Sequence, residues 1–207
     1  MIDPVFREIR LNALHRGDSR TTNKRSLDNM NLKAFPHKNY YFNIGLESLE
    51  EVNGFCDTEA DSIFVVNLNQ WSLKDVVLSQ CLENPDTGRI FLISASQYIP
   101  LANYYQMKNE NIIAICQETE SVKALRSLLH DKGVTQTDTS YKYPYLTERE
   151  FISLYYLFNG VNAHKQASFM GLCAKTVYTF RDKLAVKLQV KKIITLIITF
   201  LSRLQMI

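Results

Sequence analysis

"CAKTVYTFRDKLAVKL", Cys173 to Leu188, holds three lysines, one arginine and a single acid laid over a regular apolar beat. At about 100° per residue a helix divides these residues between two faces. Val177, Phe180, Leu184 and Leu188 share one face. Lys175, Tyr178, Thr179, Asp182, Lys183 and Val186 share the other, with Arg181 and Lys187 on the flanks. Any surface helix shows such a stripe beneath a solvated face. Whether the polar face reads something is decided by the neighbouring residues.

Upstream, "LTERE" places Glu150 three residues after Thr147, a capping box that opens a helix. Phe151, Leu154, Tyr155 and Phe158 form its apolar stripe and Gly160 ends it. A second short helix over about 162–170 stops at Gly171, and only Gly171 to Cys173 separate it from the next. Two short helices joined by a three-residue turn containing Gly, the second with basic and polar residues outward, predict a helix-turn-helix. A last helix over about 191–205 carries Ile193, Ile194, Ile197, Leu201 and Leu204, widened by Leu196 and Phe200. That surface suits a larger core or a dimer seam equally.

The chain has 207 residues, 46% hydrophobic and 22% charged, the balance of a globular protein with one large domain or two small ones. Its net charge of +3 hides an uneven distribution. Residues 1–38 carry eight Lys/Arg against four Asp/Glu, residues 39–145 seven against fourteen, and residues 146–207 nine against three. An acidic body between basic ends implies a regulatory or partner-binding module joined to segments that face a polyanion. Cys56, Cys81, Cys116 and Cys173 form no CxxC pair, which argues against a zinc site or disulfide framework and for a reducing compartment. The first twenty residues hold no apolar stretch of signal-peptide length. The run from Ile193 to Leu201 is too short to span a bilayer. A cytoplasmic, nucleoid-associated protein without membrane contact is expected. The histidines His15, His37, His130 and His164 lack ligand spacing, and neither a nucleophile elbow nor a Gly-rich phosphate loop occurs. The expectation is no enzyme, no metal and no cofactor.

Residues 1–38 read as a basic, partly disordered arm, with a short amphipathic helix over about 4–14. Residues 39–131 alternate strand-like and helix-like stretches. "YYFN" (40–43), "SIFVVNL" (62–68), "RIFLIS" (89–94) and "NIIAIC" (111–116) are strand-like. "LESLEEV", "WSLKDVVLSQCLEN" (71–84), "LANYYQMK" and "TESVKALRSLLHD" (119–131) are helical. Strands without polar alternation, separated by helices, predict a parallel sheet covered on both faces. Residues 132–145 are a polar linker, and 146–207 form the helical domain. The fold class is thus an α/β module followed by an all-α, four-helix helix-turn-helix domain.

Residues 146–190 resemble the DNA-binding domain of the LuxR/FixJ family of bacterial transcription regulators, without a gap. The likeness rests on Leu146, Thr147, Arg149 and Glu150, on Leu154, Gly160, Ala167 and Gly171, and on Lys175-Thr176-Val177 and Lys187-Leu188. It implies a third helix in the major groove, with Tyr178, Thr179 and Asp182 at base edges. Lys175, Thr176 and Lys187 would lie near phosphates with Lys165 in support, and the flanking Arg181 and Lys183 belong to the same candidate surface. Phosphate contacts supply affinity and salt dependence, and base-edge contacts supply discrimination. The sequence departs from the family at Gln166, which stands at a core aliphatic position and suggests softer packing. Cys173 stands at the usual Ser cap, Phe180 should deepen the core, and the acidic Asp182 can accept from cytosine N4.

The preceding module resembles a receiver domain in degenerate form. The phosphoacceptor position falls on Asn67, whose amide forms no acyl phosphate. Ser94 fits the hydroxyl position, Gln117 stands where a Lys is expected, and Glu50-Glu51 lie in a helix. Residues 44–61 are too few for a full strand and helix pair, giving a shortened, phosphorylation-independent pseudo-receiver. The layout, including "IPLANYYQMKNENI", is similar to enterobacterial regulators of fimbrial operons of the Mat/Ecp kind. The function expected is sequence-specific regulation of promoters on double-stranded DNA, as a homodimer or as a heterodimer with another LuxR-type regulator. The alternative is an accessory subunit that heterodimerises with such a regulator and binds DNA poorly alone.

Overall fold

Three apolar runs become strands of one sheet, and a fourth strand comes from a segment that does not look like one. The computed structural model describes residues 32–37, 40–53, 63–79, 82, 88–120 and 144–198. Strands β1 (Leu32–Phe35), β2 (Ile63–Leu68), β3 (Arg89–Ser94) and β4 (Ile112–Gln117) pair in parallel in the order β1-β2-β3-β4. Helix α1 (Tyr40–Asn53) links β1 to β2, α2 (Leu73–Ser79) links β2 to β3, and α3 (Ile99–Lys108) links β3 to β4. β2 and β3 are buried almost without interruption. That is why they show no polar alternation: both faces are covered.

The faces still segregate with a period of two. Val66, Leu68, Ile90, Leu92 and Ile112 enter one core. Ile63, Val65, Phe91, Ile93, Ala114 and Cys116 enter the other, with Leu46 of α1. Ile112 and Ala114 fall on opposite faces because the register shifts between Ile90 and Phe91, which pair with Ile112 and Ala114.

Two expectations fail here. The arm over 1–38 contains β1, and "YYFN" is not a strand but the first turn of α1, with Tyr40 70% and Tyr41 84% exposed. Aromatic strand propensity reflects fit to a half-buried pleated surface, and these rings are not on one. The helices expected over 4–14 and 119–131 lie wholly or largely outside the described residues, as does most of the 132–145 linker.

The helical unit follows as α4 (Glu148–Phe158), α5 (Ala163–Met170) and α6 (Ala174–Lys187), and residues 194–198 are helical again. The capping box is complete: Thr147 Oγ1 accepts from Glu150 N, and Glu150 Oε2 accepts from Thr147 N at 2.8 Å. Asn162 caps α5 through Lys165 N, and Gly171 closes it in the left-handed region at φ 62. Leu172 N donates back to Ala167 O at 2.9 Å, completing the turn into α6.

One apolar core runs through both parts. Leu146, Phe151, Leu154, Leu184 and Leu188 join the same cluster as Leu73, Leu92, Leu101 and Tyr105. The Phe151 ring stacks on Tyr104 at 4.5 Å between centroids and meets the edge of Tyr105 at 5.4 Å. Leu146 N donates to Pro100 O at 3.1 Å, and Lys108 pairs with Glu148 at 3.1 Å. Ile99 to Tyr105 are therefore all buried, because α3 lies between the sheet and α4.

Candidate nucleic-acid interface

The polar side of α6 faces solvent. Lys175, Thr179, Asp182 and Lys183 are exposed, Tyr178 is 51% exposed and Val186 78%. At helical spacing Lys175, Tyr178, Thr179, Asp182 and Lys183 share this side within three turns. Thr179 Oγ1 donates to Lys175 O at 3.1 Å, which ties up its proton and leaves acceptor lone pairs and a methyl group available. Thr176 is half-buried, its hydroxyl 3.1 Å from Cys173 Sγ. Lys165 is exposed on α5 with its ammonium 5.7 Å from the Phe169 ring centroid, and His164 beside it is exposed too. This side thus offers Lys175 and Lys183 for phosphate oxygens, with Tyr178, Thr179 and Asp182 between them as groups able to address base edges.

Two of the sequence-predicted contacts turn inward. Arg181 Nη2 donates to Val161 O and to Gln166 Oε1, both at 2.8 Å, and Nε donates to the same Oε1 at 3.2 Å. Its burial holds the guanidinium below its ordinary value. Lys187 Nζ lies 2.7 Å from Glu150 Oε2 and donates to Tyr145 O at 2.8 Å. Glu150 is 3% exposed. Burial alone would push its carboxyl up, but the Lys187 ammonium and the Thr147 amide and hydroxyl outweigh that and hold it below the usual carboxylate value. Arg181 and Lys187 are half-buried and cross-link the helical unit.

Two further expectations are corrected. Gln166, expected to soften the core, is fully buried and satisfied: Nε2 donates to Ser153 Oγ at 2.8 Å and Oε1 receives Arg181. Phe180 is half-buried rather than a core residue, with the Arg149 guanidinium 6.0 Å from its ring centroid. Cys173 occupies the N-cap of α6 without a side-chain capping hydrogen bond. Sequence reading placed Gln166 in the core but missed its bonds to Ser153 and Arg181, and missed the Glu150–Lys187 pair. The available signal was a Gln at a buried register position on α5, one helix before an Arg on the flank of α6.

At the C-terminal ends of the strands, the Asn67 side chain is almost wholly buried. Its Oδ1 accepts from Asn69 Nδ2 at 3.1 Å, and its carbonyl accepts from Ser72 Oγ. Asn69 Oδ1 accepts from Trp71 N at 2.8 Å and Ser72 N at 3.1 Å, an Asx turn that starts α2. Ser94, fully buried, donates to Ala95 O at 3.0 Å, and Gln117 is half-buried. Among the described residues no three His, Cys, Asp or Glu side chains are grouped to hold a metal ion, and no helix is long and apolar enough to cross a membrane.

Comparison with known proteins places the sheet module. The Vi polysaccharide biosynthesis protein TviA of Salmonella typhi is 28% identical over 164 residues, covering 76% of this chain and 89% of that protein. Among solved structures, RcsB from Salmonella enterica serovar Typhimurium bound to promoter rprA aligns with 82% of this chain and 96% of its own, at TM-score 0.44 and 16% identity. Full-length FixJ from B. japonicum aligns with 83% of this chain and 96% of its own, at TM-score 0.31 and 12% identity. A family model described as EcpR N-terminal domain matches residues 15–132, more than half of the chain. All four strands lie inside that segment, which agrees with the likeness to Ecp regulators in the sequence and takes in part of the expected arm. The chain belongs to the EcpR N-terminal domain family.

Proposed function

We propose that the chain is a sequence-specific, DNA-binding transcription regulator of the LuxR type that reads promoters with the outer side of α6. The observation that carries this reading is the exposed row Lys175, Tyr178, Thr179, Asp182 and Lys183 on the second helix of a helix-turn-helix whose first helix is capped by Asn162 and whose Val177, Leu184 and Leu188 are buried. It acts as a binding protein rather than an enzyme, in the cytoplasm at the nucleoid. Its targets are fimbrial genes, as the sequence likeness to Mat/Ecp regulators implies, or genes for polysaccharide biosynthesis, as the name of the TviA relative suggests. It works without phosphorylation, because an amide stands at Asn67, and Asn69 and Ser72 bond to its side-chain and backbone oxygens.

A second reading is favoured by one observation. With Arg181 and Lys187 turned inward, the phosphate-facing cations reduce to Lys165, Lys175 and Lys183. Fewer phosphate contacts mean weaker autonomous binding. The chain would then serve as an accessory subunit that pairs with another regulator of the LuxR type.

Selection of purified full-length protein on fragmented genomic DNA, at low and at physiological salt, separates the two. A Lys175→Ala/Lys183→Ala variant is the control, because neither lysine is among the internal cross-links. An autonomous reader enriches a discrete motif, and the control lowers the salt slope of log affinity by about 2. No enrichment at either salt overturns that reading in favour of the accessory subunit.

A further inference from the structure

The buried amide of Gln166 bonds to α4 and to α6 as well as within its own helix. Its nitrogen donates to Ser153 Oγ of α4 at 2.8 Å and to Met170 Sδ at 3.4 Å, and its oxygen takes Arg181 of α6 at 2.8 and 3.2 Å. Arg181 also reaches Val161 O, in the loop that precedes α5, at 2.8 Å. A guanidinium only donates, so the amide oxygen must face α6 and the amide nitrogen must face α4. Gln166 and Ser153 are both 0% exposed, so no solvent molecule at the surface replaces a lost partner.

An aliphatic residue at 166 would fill similar space and let α6 slide or rotate by small amounts against α5. Apolar contact is non-directional, whereas a buried amide is satisfied over a narrow range of positions and is costly outside it. Near the last turn of α6, Lys187 makes further polar contacts to Tyr145 O and Glu150 Oε2. Arg181 sits in the middle of the helix, on the turn following Tyr178 and next to Asp182. Fixing Arg181 fixes the azimuth at which those two groups leave the surface.

We propose that Gln166, with Ser153 and Arg181, forms a positioning network that sets the rotation of α6 and thereby the base discrimination of its outer side. Ser153, Gln166 and Arg181 are positioning residues: none of them touches DNA. The proposal rests on the reading that α6 contacts DNA, and the test is built so that the two fail separately.

The informative variant is the full-length chain with Ser153→Ala, Gln166→Ile and Arg181→Met together, because removing the three side chains leaves no buried polar side chain of the network unsatisfied, and only the half-buried Val161 carbonyl loses a bond. It is compared with Gln166→Glu, which keeps an acceptor for Arg181. Thermal melting confirms folding, and affinity is measured for a fragment selected by the wild type and for a random duplex of the same length. The triple variant is expected to melt within a few degrees of the wild type, to bind the random duplex unchanged, and to lose tenfold or more of its preference for the selected fragment. Gln166→Glu is expected to keep that preference within twofold. A folded triple variant with its preference intact overturns the proposal. The distance between nitroxides placed at Ser168→Cys and Lys183→Cys, in a background without the four native cysteines, is measured on the protein alone. A distribution that widens in the triple set supports the network even where the wild type selects no DNA, and an unchanged one overturns it. If the triple variant does not fold, the same distance in Gln166→Glu and in Gln166→Ile alone decides: narrow in the first and wide in the second supports the network, identical widths overturn it.

Discussion

The sheet module and the helical unit both bury polar side chains, and they satisfy them by different means. In the sheet module Asn67, Asn69 and Ser72 lie within five residues of one another and bond among themselves and to their own backbone. The cluster is neutral and local, and it shapes a single turn. In the helical unit the partners are ionised or charge-assisted and far apart in sequence: Glu150 with Lys187, and Gln166 with Arg181. Those bonds tie one helix to another. A local neutral cluster stabilises where the chain turns, whereas a charged long-range one specifies how finished elements are oriented. The same contrast decides what remains for a partner: on α6 the cations that hold the unit together point in, and the side facing solvent keeps Lys175, Asp182 and Lys183.

The comparison breaks most visibly at Lys187. Lys187→Met leaves the Glu150 carboxylate buried beside a thioether, and the expected loss at neutral pH is about 2–4 kcal/mol. The sign with pH follows from the carboxyl's lowered value in the folded wild type. Its contribution is complete above the unfolded value of about 4.3 and disappears as pH falls through the folded one. In the variant, burial without the ammonium raises the same carboxyl. The gap in unfolding free energy is therefore widest near pH 7 and narrows below about pH 4. Denaturant melts of both proteins across that range test this, and a gap of constant size would show that the pair adds nothing electrostatic. The neutral cluster should behave otherwise. Ser72→Ala removes the hydroxyl bonded to Asn67 O and Asn69 N at a cost of about 1–2 kcal/mol, the same at pH 4 and pH 7. A pH-dependent loss there would erase the distinction between the two regions.

These differences also govern what could be read from the residues alone. β2, β3 and β4 were legible because continuous apolar runs bounded by turns leave few alternatives, and the capping box was legible because Thr147 and Glu150 are three residues apart. β1 was not: "LKAF" is four residues long, carries an exposed lysine, and becomes a strand only by pairing with Ile63 to Val66. The outer side of α6 followed from helical period. The inward turn of Arg181 and Lys187 did not, since their partners Gln166 and Glu150 lie 15 and 37 residues away. Long cations on the flank of a helix can snorkel either way, and the choice belongs to tertiary packing.

The smallest effect is expected at the start of α6, where a local cap is present in position but weak in chemistry. Cys173 has the extended backbone of an N-cap, φ −83 and ψ 152, yet its side chain makes no capping hydrogen bond. Its thiol instead faces Thr176 Oγ1 at 3.1 Å, and that contact, with the nearby backbone amides, draws the thiol below its ordinary value. A hydroxyl at this position is a better acceptor than sulfur and belongs to the preferred capping set. Cys173→Ser should raise the melting midpoint at pH 7 by about 1–3 °C. The advantage carries its own pH signature. A lowered thiol's contribution to the wild type's stability grows as pH rises through its folded value and is complete above the unfolded value of about 8.5, so the two melting curves should converge as pH rises toward it. Convergence would show that the thiolate caps α6 as the serine does. A serine variant that is no more stable at pH 7 would mean that the turn from Gly171 and the buried base of α6 already fix the helix start, leaving the cap nothing to add.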